Sequence, residues 1–193
     1  KGISSWMLNL TLKQHRHWIE QHWAETQKNA LELSPQSIYL PCLDSRWSVS
    51  YPDIPAGDSD TELLSIPHLS HATDEISAYL ARWLKQQAQE YFAPWIKQLS
   101  LESGLSFDRL HIRRQRTRWG SCSTSGTITL NRNLLFMEAR IVRYVIIREL
   151  CHTVHMDHSK AFWNLVEVHD PDWRHHRREL RHQAKDIPHW AHA

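Results

Sequence analysis

The sequence predicts an α+β fold, on three observations. A strong helical pattern runs from about Glu138 to His155, two short strands precede it around a glycine-bounded turn, and a hairpin centred on Pro and Asp lies nearer the N-terminus. The 193 residues suit one domain with an N-terminal extension, divided here into an extension at 1–70 and a domain at 71–193.

Trp6, Leu10, His17, Trp18 and Trp23 recur among polar residues from about Ser4 to Gln27 and predict an amphipathic helix. Ile38-Tyr39-Leu40 and Trp47-Ser48-Val49-Ser50-Tyr51 alternate apolar and polar on either side of Pro41 to Asp44, the pattern of a β-hairpin. Residues 52–70 hold Pro52, Pro55, Gly57, Pro67 and several Asp and Ser, and read as loop. From about His71 to Ser103, Ile76, Leu80, Trp83, Leu84, Ala88, Tyr91, Trp95 and Leu99 keep helical spacing. Pro94 is expected to kink or divide that helix and Gly104 to end it. Phe107 to Arg118 reads as a strand, Gly120 to Gly126 as a turn and Thr127 to Leu130 as a second strand. Asn131 to Phe136 leads into the helix from Glu138 to His155. Two more helices are expected at about Ser159–Val168 and Pro171–Asp186, with Pro171 in the first turn of the second.

Hydrophobic content of 41% and ten Trp provide for a substantial core, and a net charge of +2 argues against a strongly electrostatic nucleic-acid binder. Cys42, Cys122 and Cys151 are odd in number and widely spaced, which is no disulfide framework and favours a reducing compartment. No apolar run approaches the roughly 20 residues that cross a bilayer. The chain opens Lys1-Gly2-Ile3 without the apolar core of a signal peptide. A soluble, cytoplasmic protein with no membrane partner is the expectation.

The helix from Glu138 to His155 carries the chemistry. It contains Arg148-Glu149-Leu150-Cys151-His152, and His158 follows six residues later. With His in place of Arg148 the stretch would read HExxH, in which two imidazoles four apart lie about 40° from each other around the helix and can share one ion. The Glu beside the first His then serves as general base toward water. Glu149 holds that position, His152 is the second ligand of the pattern and His158 its third, at the spacing of HExxHxxGxxH. His155 stands where that pattern has Gly, a position His tolerates better than most residues. Arg148 holds the first ligand's position, and a guanidinium has donors only and stays protonated.

Trp119-Gly120-Ser121-Cys122-Ser123, Gly126-Thr127-Ile128, Leu130-Asn131, Leu134, Tyr144-Val145, Glu149-Leu150-Cys151-His152, His158-Ser159, Phe162-Trp163 and Pro171-Asp172-Trp173 together resemble the YgjP-like family of zinc metallopeptidases, zincins similar to the SprT-like proteins. The resemblance covers about residues 75–182. It implies a zincin-like α+β domain with a small β-sheet packed on an active-site helix, zinc as cofactor, peptide or protein as substrate, and nucleotide hydrolysis in some members. Carried over by position, His152 and His158 match metal ligands and Glu149 the catalytic base. The remaining ligand falls on Arg148, and the Asn of the family's Asn-His-Ser segment is Asp157.

Three readings of Arg148 stay open. The site is degenerate, with Arg148 paired to Glu149 or another carboxylate in an inactive protein- or nucleic-acid-binding module. Or metal binds through His152 and His158 with His155, Asp157 or His175 as substitute. Or Arg148 is a change of His to Arg, one codon base away. An arginine pocket of this kind also suits a carboxylate or phosphate.

Elsewhere, Arg109, Arg113, Arg114, Arg116 and Arg118 lie within ten residues. In a strand the last three would share one face toward nucleotide or nucleic acid, whereas pairing with Asp and Glu of neighbouring helices is the plainer expectation. Trp119 is expected in the core beside the site rather than stacked on a base. A structural zinc on Cys122 and Cys151 lacks a CxxC pair, and no His lies near Cys122 to activate it as a nucleophile. Trp173 to Arg178 is read as a charged helix face, with His175 and His176 as the alternative extra ligands.

Overall fold

Leu80, Leu84, Ala88, Phe92, Ile96 and Leu99 recur along one helical stripe, and all six are buried in the computed structural model, which describes residues 34–51, 61–66 and 73–192. They belong to α1 (Thr73–Ser103), which runs through Pro94 without ending there and closes at Gly104, whose φ of 70° suits a residue with no Cβ. The helix expected at 4–27 lies outside the described residues.

The hairpin forms as patterned. β1 (Ser37–Leu40) and β2 (Ser45–Ser50) pair antiparallel, and Asp44 takes the left-handed turn position at φ 47°. The segment read as loop contributes a third strand, β3 (Glu62–Ser65), parallel to β2. Only Leu64 of its four residues turns inward, too short an alternation to register in sequence. Trp47 meets Trp83 edge to face at 5.2 Å, and the Cys42 N–H donates to the Leu135 carbonyl, so this sheet leans on α1 and on the 3-10 turn Arg132–Phe136.

The second sheet has the order β4-β6-β5, built from β4 (Arg109–Arg113), β5 (Gly120–Cys122) and β6 (Thr127–Asn131). β4 runs parallel to β6 and β5 antiparallel to it. The strand expected to reach Arg118 stops at Arg113, because the next carbonyls are taken by a side chain. Asn131 Nδ2 donates to the carbonyls of Gln115 (2.8 Å) and Arg118 (3.0 Å), and Asn131 Oδ1 accepts from the Asn133 N–H. Arg114, Arg116 and Arg118 therefore lie on an irregular loop and share no strand face. The expected turn at 120–126 begins as strand and tightens only at Ser123–Gly126, where Gly126 has φ 76°.

α2 (Ala139–Cys151) is apolar on most sides, with Ile141, Val142, Tyr144, Val145, Ile146, Ile147 and Leu150 all buried, and it packs against both β5 and β6 and the other helices. It ends at Cys151, four residues before the His155 expected from the pattern. α3 (Lys160–His169) starts at Ser159, whose hydroxyl accepts from the Phe162 N–H, and α4 (Trp173–Gln183) follows two residues after Pro171. Among the described residues no helix is long and apolar enough to cross a membrane.

Candidate active site

Glu149 is buried in the last turn of α2, 1% exposed, and His152 caps the same helix. The chain then turns through Thr153–Met156 and returns His158 beside His152, their rings edge to face at 4.8 Å. Phe162 holds both: it stacks on His152 at 4.2 Å and meets His158 edge-on at 5.1 Å, while Trp163 stacks on His158 at 5.8 Å. Residues 149, 152 and 158 thus line one cavity of about 430 Å³. The turn needs no left-handed residue at 155, since Asp44 alone among the described non-glycine residues has positive φ.

The hydrogen bonds assign the imidazole nitrogens. His152 Nδ1 lies 2.9 Å from the His155 carbonyl, which only accepts, so Nδ1 carries the proton and Nε2 presents a lone pair. Arg148 Nη2 lies 3.3 Å from His158 Nε2, and a guanidinium only donates, so that nitrogen accepts. Arg148 Nη1 donates to Glu149 Oε1 at 2.8 Å. One guanidinium therefore bridges the base of the pattern and its third ligand. Burial, then the positive charge of Arg148, holds His158 below its ordinary pKa. Burial first does the same for His152, so both rings are neutral near pH 7. Burial pushes Glu149 up to about 7, against the pull of Arg148 and Arg118.

Gly120 explains the Trp-Gly-Ser-Cys motif. A Cβ placed on it would sit 2.6 Å from Glu149 Cγ and 2.9 Å from Oε1, so the β5 backbone packs directly on the carboxylate. Asn131 fixes that approach by holding the loop that leads into Trp119 and Gly120. Neither role was visible in sequence: a Gly and an Asn in strands read as a bulge and a turn signal until their partners are known.

Of the substitute ligands considered, none reaches the cavity. His155, Asp157 and His175 are absent from its wall, and Asp157 Oδ1 accepts from the Ser159 N–H. His176 is taken by Asp170 at 2.9 Å. Cys122 lines the cavity, Cys151 is buried away from it, and among the described residues no three His, Cys, Asp or Glu are grouped to hold a metal. A catalytic zinc takes three protein donors and leaves one position open. Two imidazoles and a carboxylate already bound to a guanidinium do not meet that need. These residues do not fit zinc. Of the arginine run, Arg109 pairs with adjacent Asp108, Arg114 donates to the His192 carbonyl, and Arg118 acts on the helix carboxylate of Glu149 through its charge.

A helix-borne Glu149 and His152 and a returning His158 thus lie together beside a short sheet. The chain belongs to the YgjP-like family: the family model for the YgjP-like metallopeptidase domain matches residues 1–183, further toward the N-terminus than the sequence resemblance reached. Among solved structures, the crystal structure of the metallopeptidase zymogen of Pyrococcus abyssi abylysin is similar at 23% identity and a TM-score of 0.41, over 48% of this chain and 90% of that chain. Comparison with curated proteins gave no match.

Proposed function

We propose that this chain keeps the peptide cleft of a zinc metallopeptidase and, with Arg148 in the first ligand position, binds peptide without the family's metal-dependent hydrolysis. The observation that carries this reading is the guanidinium bridge from Glu149 Oε1 to His158 Nε2. In the family's reaction zinc activates water and a Glu takes its proton. This chain supplies the Glu and two imidazoles, but its third donor is replaced by a cation that repels a second cation.

The rest of the machinery supports a site one residue away from function. His152 keeps a free Nε2 with its tautomer set by a carbonyl, the arrangement that orients metal-ligating His. Glu149 stays buried against Gly120 with its proton affinity raised toward neutral pH, where a general base works best. A cytoplasmic location is part of the same reading, since Cys42, Cys122 and Cys151 are all free thiols.

Metal analysis of the purified chain beside its Arg148→His variant tests this. The expected result is no stoichiometric zinc in the chain as it stands, and about one zinc per chain with peptide hydrolysis after the change. Adding Glu149→Gln to the His form is expected to leave the zinc and abolish the hydrolysis. Stoichiometric zinc with hydrolysis in the Arg148 chain would overturn the reading.

A further inference from the structure

Beyond Arg148 the cleft continues into a second groove of about 600 Å³ between α2 and α4, sharing Trp119, Arg148 and His158 with the first cavity. Three arginines face it: Arg148 from α2, and Arg177 and Arg181 from successive turns of α4. Arg177 lies over the Trp163 ring at 5.3 Å, and Trp163 itself stacks on Trp173 at 4.2 Å, so the cation is held in place by an aromatic pile. No carboxylate pairs with Arg177 or Arg181 among the described residues. The two carboxylates whose charge reaches Tyr144 are already engaged, Glu149 by Arg148 and Asp170 by His176. Tyr144 lines the groove, and its hydroxyl, which no described residue hydrogen-bonds, reaches solvent there.

From this juxtaposition we infer that the groove is a recognition subsite for carboxylates, and that the chain selects acidic peptides. Arg177 and Arg181 take the negative side chains, with Tyr144 donating to one of them, and Trp119 and Trp163 flank the intervening residues. The inference rests on the peptide cleft proposed above and deepens it by naming the substrate class. Peptide is favoured over nucleic acid because the groove opens into the cavity of Glu149 and His152.

The test is fluorescence anisotropy of the full chain with a labelled glutamate-rich peptide, its glutamine counterpart and an oligothymidylate. The glutamate peptide is expected to bind more tightly, with affinity falling as salt rises. Arg177→Ala and Arg181→Ala, both at exposed positions, should each weaken it about fivefold, and Arg177→Lys should recover part of that loss. A C-terminally amidated glutamate peptide that keeps its affinity assigns the groove to side-chain carboxylates, and one that loses it assigns the terminal carboxylate; both support a carboxylate subsite. Equal binding of the glutamate and glutamine peptides would overturn the subsite and leave the peptide cleft standing. Oligothymidylate binding more tightly, and lost in the same variants, would overturn it in favour of nucleic acid. No peptide binding at all would overturn the cleft reading too.

Discussion

Gly120→Ala is the sharpest probe of the site's packing. The new methyl carbon would stand 2.6 Å from Glu149 Cγ, 2.8 Å from Cδ and 2.9 Å from Oε1, whereas carbon atoms rest at about 3.5–4.0 Å. Glu149 must therefore retreat by about 1 Å, and it is buried with its Oε1 tied to Arg148. Overpacking of this kind costs about 1–3 kcal/mol, which for a chain of this size lowers the melting temperature by roughly 2–12 °C. The double variant with Glu149→Ala removes all three obstructing atoms, so the alanine at 120 should then cost almost nothing. A coupling of about 1–3 kcal/mol is expected from the cycle, measured by urea unfolding. Gly104→Ala is the control: its φ of 70° costs about 1 kcal/mol in open space, and Glu149→Ala should not relieve it. If Gly120→Ala melts with the parent, or its cost survives in the Glu149→Ala background, the carboxylate does not pack on that backbone.

Further outcomes follow from the same geometry. Burial raises the Glu149 carboxyl above its unfolded value, so its contribution to stability is present below about pH 4.5 and lost as pH rises through about 7. Glu149→Gln does not titrate, and its stability relative to the parent should improve by about 1–3 kcal/mol between about pH 5 and pH 8; a difference flat with pH would refute the raised proton affinity. Thiol labelling of the native chain should touch Cys122 alone, and slowly, because burial and then Glu149 disfavour its thiolate. Cys42 and Cys151 are buried and pushed up to about 12. Equal labelling of all three without denaturant would count against the packing of α2.

The sequence made the helical framework and the convergence of Glu149, His152 and His158 legible, because each depends on local period or on short spacing. α1 declares itself through regular burial of one stripe and α2 through its dense apolar run, and Ser159 caps α3 where a helix start was read. What escaped depends on partners distant in sequence. β4 stops at Arg113 because Asn131 captures carbonyls 13 and 16 residues earlier. β3 is too short to show an alternation. The groove of Arg177 and Arg181 exists only because α4 lies across α2, and in sequence those arginines are an ordinary charged helix face.

Arginine at position 148, rather than an apolar residue, has a physical logic of its own. A buried carboxylate beside the imidazole of His158 needs a cation or donors there, since an unpaired buried charge is strongly destabilising. Arg148 meets that need: one of its nitrogens takes the Glu149 carboxylate and the other takes the lone pair of His158. Alanine at 148 would leave both groups without a partner, and the pocket would either admit water or distort. Arginine at 148 keeps the cavity positively charged where it meets the groove of Arg177 and Arg181. The cavity around Glu149 persists because its electrostatic demand is met by Arg148.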